Sequence, residues 1–257
     1  MKIVAVANQK GGVGKTTTSV NLAACLAAMG RKILLIDLDP QGNATSALGM
    51  SSTEDKSCYG PLLGASTLAE NVVETRFDYL SLVPADLDLA GVEIEVARLD
   101  DHLIRLRSAM EPMRKEAPFD FILLDCPPSL GILMTNALAA ADVVLVPLQA
   151  EYFALEGLTR IMEVTEHLHS VNPDLAVEGI VMTMVDNRTN LSQQVVAEVK
   201  THFPKLIYDT IIPRSVRLGE APSFGKPIIE YDPNSLGAFA YTALAGEFIR
   251  RAGKSRK

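Results

Sequence analysis

A glycine-rich segment near the amino terminus constrains the fold of this chain more than any other feature. It reads Lys10-Gly11-Gly12-Val13-Gly14-Lys15-Thr16-Thr17 and lies between an apolar run at residues 3–7 and a stretch with helical spacing. Glycines between a strand and a helix let successive backbone N–H groups turn inward, and the helix N-terminus adds partial positive charge there. The segment therefore predicts a phosphate-binding loop within an α/β fold.

The end of this loop carries the groups that bind a nucleoside triphosphate. We expect Lys15 to reach the β- and γ-phosphates, and Thr16 to give its hydroxyl to Mg²⁺, which also shares the phosphate oxygens. Gly12 and Gly14 lack a third glycine at the spacing of a dinucleotide-binding loop, because Thr17 stands there. ATP and Mg²⁺ are the predicted cofactors, and the predicted loop contacts are Lys10, Gly11, Gly12, Val13, Gly14, Lys15, Thr16 and Thr17.

Short apolar runs indicate the architecture around the loop. They recur at residues 3–7, 33–36, 80–83, 121–124, 143–146 and 177–185, mostly with helical spacing between them. Continuous apolar runs are typical of strands that helices cover on both faces. The pattern predicts a doubly wound, mostly parallel sheet with helices on both faces, in one domain over residues 1–257. A first helix should begin at Lys15 and end before Gly30, and residues 51–64 should form a surface loop.

Charge and cysteine content limit the classes of partner and compartment. Lys and Arg total 24 against 31 Asp and Glu, so the net charge is −7 and any DNA contact needs a local basic patch. The three cysteines, Cys25, Cys58 and Cys126, form no CxxC pair, which argues against a disulfide framework or a zinc site. The first apolar run is too short for a signal-peptide core or a membrane span. We expect a cytoplasmic protein.

Three aspartates follow predicted strands at the sheet edge where ligands bind in parallel α/β folds. Asp125 ends the apolar run 121–124 in the Walker B pattern, and burying it there is costly unless Mg²⁺ lies nearby. Asp37 and Asp39 end the second run, with Asp37 in a supporting role. Asp39 has two interpretations: a carboxylate that aligns the attacking water, or a cap for a helix that begins near residue 41 or 42.

One departure from the ordinary P-loop identifies a resemblance. Gln9 occupies the place of the usual first glycine, and Lys10 follows it. The form KGGxGK[ST] resembles the deviant Walker A motif of the ParA, MinD and nitrogenase-iron-protein superfamily. The resemblance implies that Lys10 reaches across a dimer interface to the other subunit's nucleotide. A solvated loop cation is the alternative interpretation.

The resemblance to ParA/Soj partitioning ATPases continues through residues 151–157, 183–190 and 212–218, and so covers nearly the whole chain. It implies a SIMIBI-type P-loop NTPase fold. It also implies that Asp39 orients water and contacts the Mg²⁺ hydration shell, and that Met184 and Pro213 flank the adenine. An ATP-bridged homodimer with slow hydrolysis follows from the same resemblance.

The resemblance also supplies the predicted partners. It implies that Arg188 and Arg217 contact double-stranded DNA without sequence preference, near the nucleoid, and that a ParB-type centromere-binding protein stimulates hydrolysis. From the residues alone, isolated arginines in loops are usually solvated or paired with nearby carboxylates, here Asp186 and Glu220. A role in regulating replication initiation, which some relatives have, stays open.

Three other classes of P-loop protein fit this sequence less well. A MinD-like membrane ATPase needs an amphipathic C-terminal helix, whereas the apolar residues at 239, 241, 244, 248 and 249 are expected to pack on the core. An electron-transfer ATPase needs paired cluster cysteines, and neither Cys58 nor Cys126 lies in such a motif. A small-molecule P-loop kinase stays open in principle, but Lys10 and the block around Asp39 favour the dimeric switch ATPases.

Overall fold

A mixed sheet lies between two layers of helices in the computed structural model, which describes residues 1–51 and 56–254. The strands are β1 Lys2–Val6, β2 Ile33–Asp37, β3 Val73–Glu74, β4 Leu80–Val83, β5 Phe121–Asp125, β6 Val143–Gln149 and β7 Ala176–Thr183. The helices are α1 Lys15–Ala28, α2 Asn43–Ala47, α3 Tyr59–Leu63, α4 Leu89–Val96, α5 Arg105–Glu116, α6 Ile132–Ala140, α7 Ala154–His167, α8 Asn190–His202, α9 Val216–Glu220, α10 Ile228–Tyr231 and α11 Leu236–Lys254.

The strand order confirms the predicted mostly parallel, doubly wound sheet. It runs β3-β4-β2-β5-β1-β6-β7. All six predicted apolar runs form parallel strands, while β3 pairs antiparallel with β4 at one edge. This two-residue edge strand, Val73–Glu74, was not predicted, because so short a segment has no hydrophobic period to detect.

Alternate residues along each strand point to opposite faces of the sheet and pack into two separate hydrophobic cores. Ile3 and Leu34 are fully buried under α4 to α8, whereas Val4 and Leu35 are fully buried under α1 and α11. Because successive strand residues point to opposite faces, a strand buried on both sides must be apolar throughout. The continuous apolar runs in the sequence have this cause.

The helices confirm the expected bounds of α1, and they confirm most of the expected packing of the C-terminal apolar residues. Helix α1 begins at Lys15 and ends at Ala28, before Gly30 in left-handed conformation. Helix α11 packs on the core through apolar residues that include Tyr241 and Phe248, but Phe239 of the expected apolar set is 58% exposed. No helix in the described ranges is long and apolar enough to cross a membrane.

The predicted surface loop at 51–64 is wrong in its second half. Helix α3 occupies Tyr59–Leu63, and Cys58 and Leu62 are fully buried in the core beside α4 and α5. Residues 52–55 lie outside the described part of the chain. Apolar contacts with neighbouring helices fold this short segment, and its own spacing is too short to reveal them.

The register of the central strands places their last residues side by side. Val6 of β1 pairs with Asp125 of β5, and Asp125 pairs with Asp37 of β2. The glycine-rich loop leaves β1 at this same edge. The carboxyl end of the sheet therefore gathers the loop and two aspartates, as the predicted ligand-binding edge requires.

Candidate nucleotide-binding site

The glycine-rich loop connects β1 to α1 with two residues in left-handed conformation. Gly12 has φ 75° and Gly14 has φ 87°, so glycine avoids the strain that a side chain would cause there. Gly14 is the N-cap of α1, and in the described residues no side chain caps this helix end. The N–H groups of the first turn are therefore available to an anion.

Lys15 is held against the loop that precedes it. Its side chain is buried, with 7% of the residue exposed, and its Nζ donates to the backbone carbonyl of Lys10 at 3.0 Å. Burial lowers the pKa of Lys15 below its ordinary value, and nearby acidic groups, Asp125 foremost, oppose that shift. An ammonium group already desolvated beside the loop attracts phosphate strongly.

Asp125 is a fully buried carboxylate with one oxygen satisfied. Its Oδ1 accepts a hydrogen bond from Ser19 Oγ at 2.7 Å, whereas its Oδ2 has no hydrogen-bond partner among the described residues. Burial raises the pKa of Asp125 to about 7, and the neighbouring Asp37 adds to that shift. A buried carboxylate oxygen without a donor is costly, and a hydrated cation would remove that cost.

Asp37 anchors the segment that follows β2. Its Oδ2 accepts hydrogen bonds of 2.8 Å from both the N–H and the hydroxyl of Thr45. Its Oδ1 accepts from the N–H of Asp39 at 3.2 Å, and Ala85 N donates to Thr45 Oγ1 at 3.0 Å. Burial raises the pKa of Asp37 to about 6. These hydrogen bonds fix the position of α2 relative to the sheet, and the supporting role of Asp37 at the nucleotide site stays a prediction.

Asp39 lies between Asp37 and α2, at 9% exposure. Its Oδ1 accepts from Gln41 N at 3.0 Å, and its backbone carbonyl accepts from Gly42 N at 2.9 Å. The N-cap of α2 is Gly42, so the side chain of Asp39 stabilises the preceding turn and does not cap the helix. The water-aligning role of Asp39 stays a prediction.

A pocket of about 240 Å³ opens beside the loop. Both predicted adenine-flanking residues line it, together with loop residues: its lining is Gly14, Thr17, Thr183, Met184, Ile212, Pro213, Arg214, Ser215, Leu218, Gly219 and Tyr241. This mostly apolar pocket, next to a predicted phosphate site, has a size and chemistry suited to a nucleotide base.

Two loop segments are joined to form that pocket. Val185 N donates to Ile212 O at 3.1 Å, and Arg214 N donates to Val185 O at 3.0 Å. Met184, which directly precedes Val185, has φ 52°, a left-handed conformation that is uncommon for a residue with a side chain. Thr183 Oγ1 donates to Val13 O at 2.8 Å. The pocket is therefore tied directly to the phosphate loop.

The side chain of Lys10 reaches the surface beside the loop, with 41% of it exposed. Its N–H donates to Asn8 Oδ1 at 3.0 Å, and Asn8 Nδ2 donates to Pro147 O at 2.8 Å. Its Nζ forms an ion pair with Glu151 of the same subunit. In this structure the partly exposed Lys10 is a loop cation paired with a carboxylate, and both its role across a dimer and the alternative of a solvated loop cation stay predictions.

The two predicted DNA-contacting arginines are exposed and paired with carboxylates. Arg188 makes hydrogen bonds of 2.8 and 2.7 Å to Asp186, and this guanidinium holds the pKa of Asp186 well below its ordinary value. Arg217 pairs with Glu220 at 3.0 Å and with Asp232 at 3.4 Å. The pairing foreseen from the sequence is present, and the DNA contact stays a prediction.

Several residues of the site were not predicted from the sequence. Ser19 lies one helical turn after Lys15 and donates to Asp125, and Thr183, the last residue of β7, donates to Val13 of the loop. The spacing of Thr45 and Glu151 in the sequence does not indicate their partners, and the structure pairs them with Asp37 and Lys10. The helical spacing of Ser19 was the one available signal.

Solved structures confirm the fold and associate it with nucleotides. The cobyrinic acid a,c-diamide synthase of Mycobacterium smegmatis with bound ATP analog and magnesium superposes with a TM-score of 0.85 at 35% identity. The match covers 100% of this chain and 98% of that one. The residues around the loop fit the same cofactors, because the orphaned Asp125 oxygen, buried Lys15 and the Thr16 hydroxyl suit Mg²⁺ and phosphate.

Sequence relatives establish the family. The family model described as an AAA domain matches residues 1–177. The chromosome partitioning protein ParA of Caulobacter vibrioides is 49% identical over 253 residues, which cover 98% of this chain and 95% of that protein. The sporulation initiation inhibitor protein Soj of Bacillus subtilis is 50% identical over 251 residues, with coverages of 96% and 97%. Because these relatives match over nearly their whole length, the chain belongs to the ParA/Soj family of chromosome-partitioning ATPases.

Proposed function

We propose that this ATPase is a nucleotide switch for segregating chromosomes or plasmids. It binds Mg-ATP, forms an ATP-bridged dimer, holds double-stranded DNA without sequence preference, and releases both on slow hydrolysis. One observation carries the proposal. Buried Lys15, the Asp125 oxygen that has no partner among the described residues, and the base pocket all lie around one loop, in a chain 49% identical to a partitioning protein.

Each part of the loop has its own task in binding Mg-ATP. Backbone N–H groups of the loop and of the first turn of α1 hold the phosphates, and Lys15 neutralises their charge. Thr16 would give its hydroxyl to Mg²⁺, and Asp125 and Asp39 would help to hold the ion through its waters. Bound Mg²⁺ supplies charge neutralisation on the phosphates. Asp39, fixed by its turn, aligns the attacking water.

Dimerisation and hydrolysis are coupled through Lys10. The Lys10 side chain is partly exposed at the surface beside the loop, so a second copy facing this surface can receive it at its own nucleotide. A cation that arrives only in the dimer stabilises the charge on the transferring phosphoryl group only there. Hydrolysis therefore waits for dimer formation.

DNA binding needs two subunits because the chain is acidic, with a net charge of −7. Arg188 and Arg217 each supply one exposed guanidinium per subunit, and a dimer doubles the number. Two linked weak sites bind DNA far more tightly than one. Their present partners, Asp186 and Glu220, must yield to phosphate, so binding should weaken steeply with salt.

Analytical sedimentation tests the proposal directly. The wild type is sedimented with ATP, ADP or no nucleotide, in Mg²⁺, with and without random-sequence duplex DNA, at two salt concentrations. We expect a dimer with ATP, but not with ADP or without nucleotide. This dimer should bind DNA, and the binding should weaken as the salt concentration rises. An ATP-dependent dimer indifferent to DNA would assign the switch to another cargo, and a monomer under all conditions would refute it.

Point variants separate the steps. Lys15→Ala should abolish ATP binding, measured by calorimetry, while Asp39→Ala should bind ATP normally and accumulate as a dimer. Normal hydrolysis by Asp39→Ala would show that the water-aligning assignment is wrong.

For DNA binding, Arg188→Ala and Arg217→Ala should each lower the affinity and flatten its salt dependence, by about one phosphate contact each. Arg98→Ala, an exposed arginine after α4, serves as the charge-matched control.

A ParB-type centromere-binding protein is the proposed partner that stimulates hydrolysis. Phosphate release is measured with DNA alone, with the partner alone and with both. The proposal expects the fastest hydrolysis with both present in wild type, and no stimulation in Asp39→Ala. Equal rates with and without the partner would refute this part of the proposal while leaving the switch intact.

A further inference from the structure

The cation predicted to act on a second subunit is engaged within its own subunit. Lys10 Nζ forms an ion pair with Glu151, and the two side chains are 41% and 29% exposed. Glu151 stands between β6 and α7, where its N–H donates to Gln149 O at 2.9 Å and its carbonyl accepts from Ala154 N at 3.0 Å. The carboxylate is therefore carried by a fixed turn.

The neighbouring charges single out Glu151 as the group that balances Lys10. Glu156, on the first turn of α7, borders the same surface depression as Lys10. Its Oε1, however, accepts a hydrogen bond from Arg160 at 2.5 Å. Two carboxylates and two cations are thus sorted into two pairs, and only one of these pairs involves the phosphate loop.

The surface beside this ion pair has features of a contact face. Tyr152 and Phe153 directly follow Glu151, are 78% and 59% exposed, and pack edge to face with ring centroids 5.0 Å apart. Exposed aromatic side chains are enriched at protein interfaces. A second copy that covers this face would bring its nucleotide toward Lys10.

We propose that Glu151 is a positioning residue that holds Lys10 in the free subunit and yields it to the nucleotide of a second copy. The inference rests on the proposed role of Lys10 across the dimer. A triphosphate carries more negative charge than one carboxylate and draws the ammonium away once the subunits face each other. Each dimer must break two such pairs, so the contact sets a threshold against premature dimerisation.

The size of the threshold follows from the exposure of the pair. Partly exposed ion pairs of this kind change an equilibrium by roughly 1.5- to 5-fold each. Two pairs per dimer therefore correspond to roughly 2- to 25-fold in the dimer dissociation constant.

Sedimentation equilibrium in Mg-ATP measures this threshold. Glu151→Gln keeps the shape of the side chain and removes its charge, so its dimer should be tighter than wild type by that factor. Glu156→Gln removes a charge of the same sign from the same face without touching Lys10, and should leave the dimer constant unchanged. Glu151→Asp, which keeps the charge, should remain close to wild type.

A double-mutant cycle and a monomer assay complete the test. In a Lys10→Gln background, Glu151→Gln should have no effect on dimerisation, because the cation it held is gone. In nucleotide-free protein, acetic anhydride should label the Lys10 amine faster in Glu151→Gln than in wild type or Glu156→Gln.

The outcomes separate this inference from the proposed function. A weaker or unchanged dimer in Glu151→Gln, or a gain that persists without Lys10, would overturn the holding role of Glu151. Absence of any ATP-dependent dimer in wild type would instead refute the proposed function, and the labelling rates would still report whether Glu151 holds Lys10 in the free subunit.

Discussion

Replacing Asp125 by asparagine should stabilise the protein when magnesium and nucleotide are absent. Asp125 is fully buried, and one of its carboxylate oxygens has no donor among the described residues. Burial raises its pKa from 3.8 to about 7, with a further contribution from Asp37. The charge is therefore a cost to the fold that asparagine would remove.

The magnitude follows from linkage. Because the folded-state pKa lies above the unfolded one, stability present below pH about 4 is lost as pH rises through about 7. The loss reaches roughly 4 kcal/mol at pH 8. Asparagine keeps an acceptor for Ser19 but leaves a buried N–H without an acceptor, which costs about 1–3 kcal/mol. A net gain of about 1–3 kcal/mol should remain at pH 8.

Denaturant and thermal unfolding in EDTA, without nucleotide, measure this gain. For a chain of this size, Asp125→Asn should melt higher than wild type by about 2–4 °C per kcal/mol at pH 8, and by much less at pH 5. Asp78→Asn, at an exposed position, should stay within about 0.5 kcal/mol of wild type. With Mg-ATP the order should reverse, because the ligand stabilises the wild type more.

Two results would refute this reasoning. A less stable Asp125→Asn at pH 8 in EDTA would mean that the ionised carboxylate is not a cost to the ligand-free fold. A gain of equal size at pH 5 and pH 8 would mean that the gain has another source than the charge.

The remaining predictions concern packing and the loop. Phe248→Ala, at a fully buried ring 5.1 Å from the ring of Phe121, should cost about 3–5 kcal/mol in urea unfolding. Gly225→Ala places a Cβ 2.6 Å from a backbone atom at φ 62° and should destabilise by more than 1 kcal/mol, whereas Gly253→Ala, in open space, should change unfolding by less than about 1 kcal/mol. Thr183→Val removes the bond to the loop and should cost about 1 kcal/mol in unfolding and weaken ATP binding by calorimetry.

The sequence predicted the fold class and the loop because both rest on local patterns. Continuous apolar runs specify strands that are covered on both faces, and the spacing around Gly12, Gly14 and Lys15 specifies a phosphate loop between a strand and a helix. These patterns need no knowledge of distant residues. They were sufficient for the six parallel strands, for α1 and for the position of Asp125 at the end of β5.

Contacts between distant residues were decided by the tertiary structure alone. The pairing of Ser19 with Asp125, of Thr183 with the loop, and of Lys10 with Glu151 depends on which strands become neighbours in the sheet. Strand order brings residues more than a hundred positions apart within hydrogen-bond distance, and no local spacing encodes it. Composition and motif thus determined what chemistry this chain carries, while strand order decided which groups hold it in place.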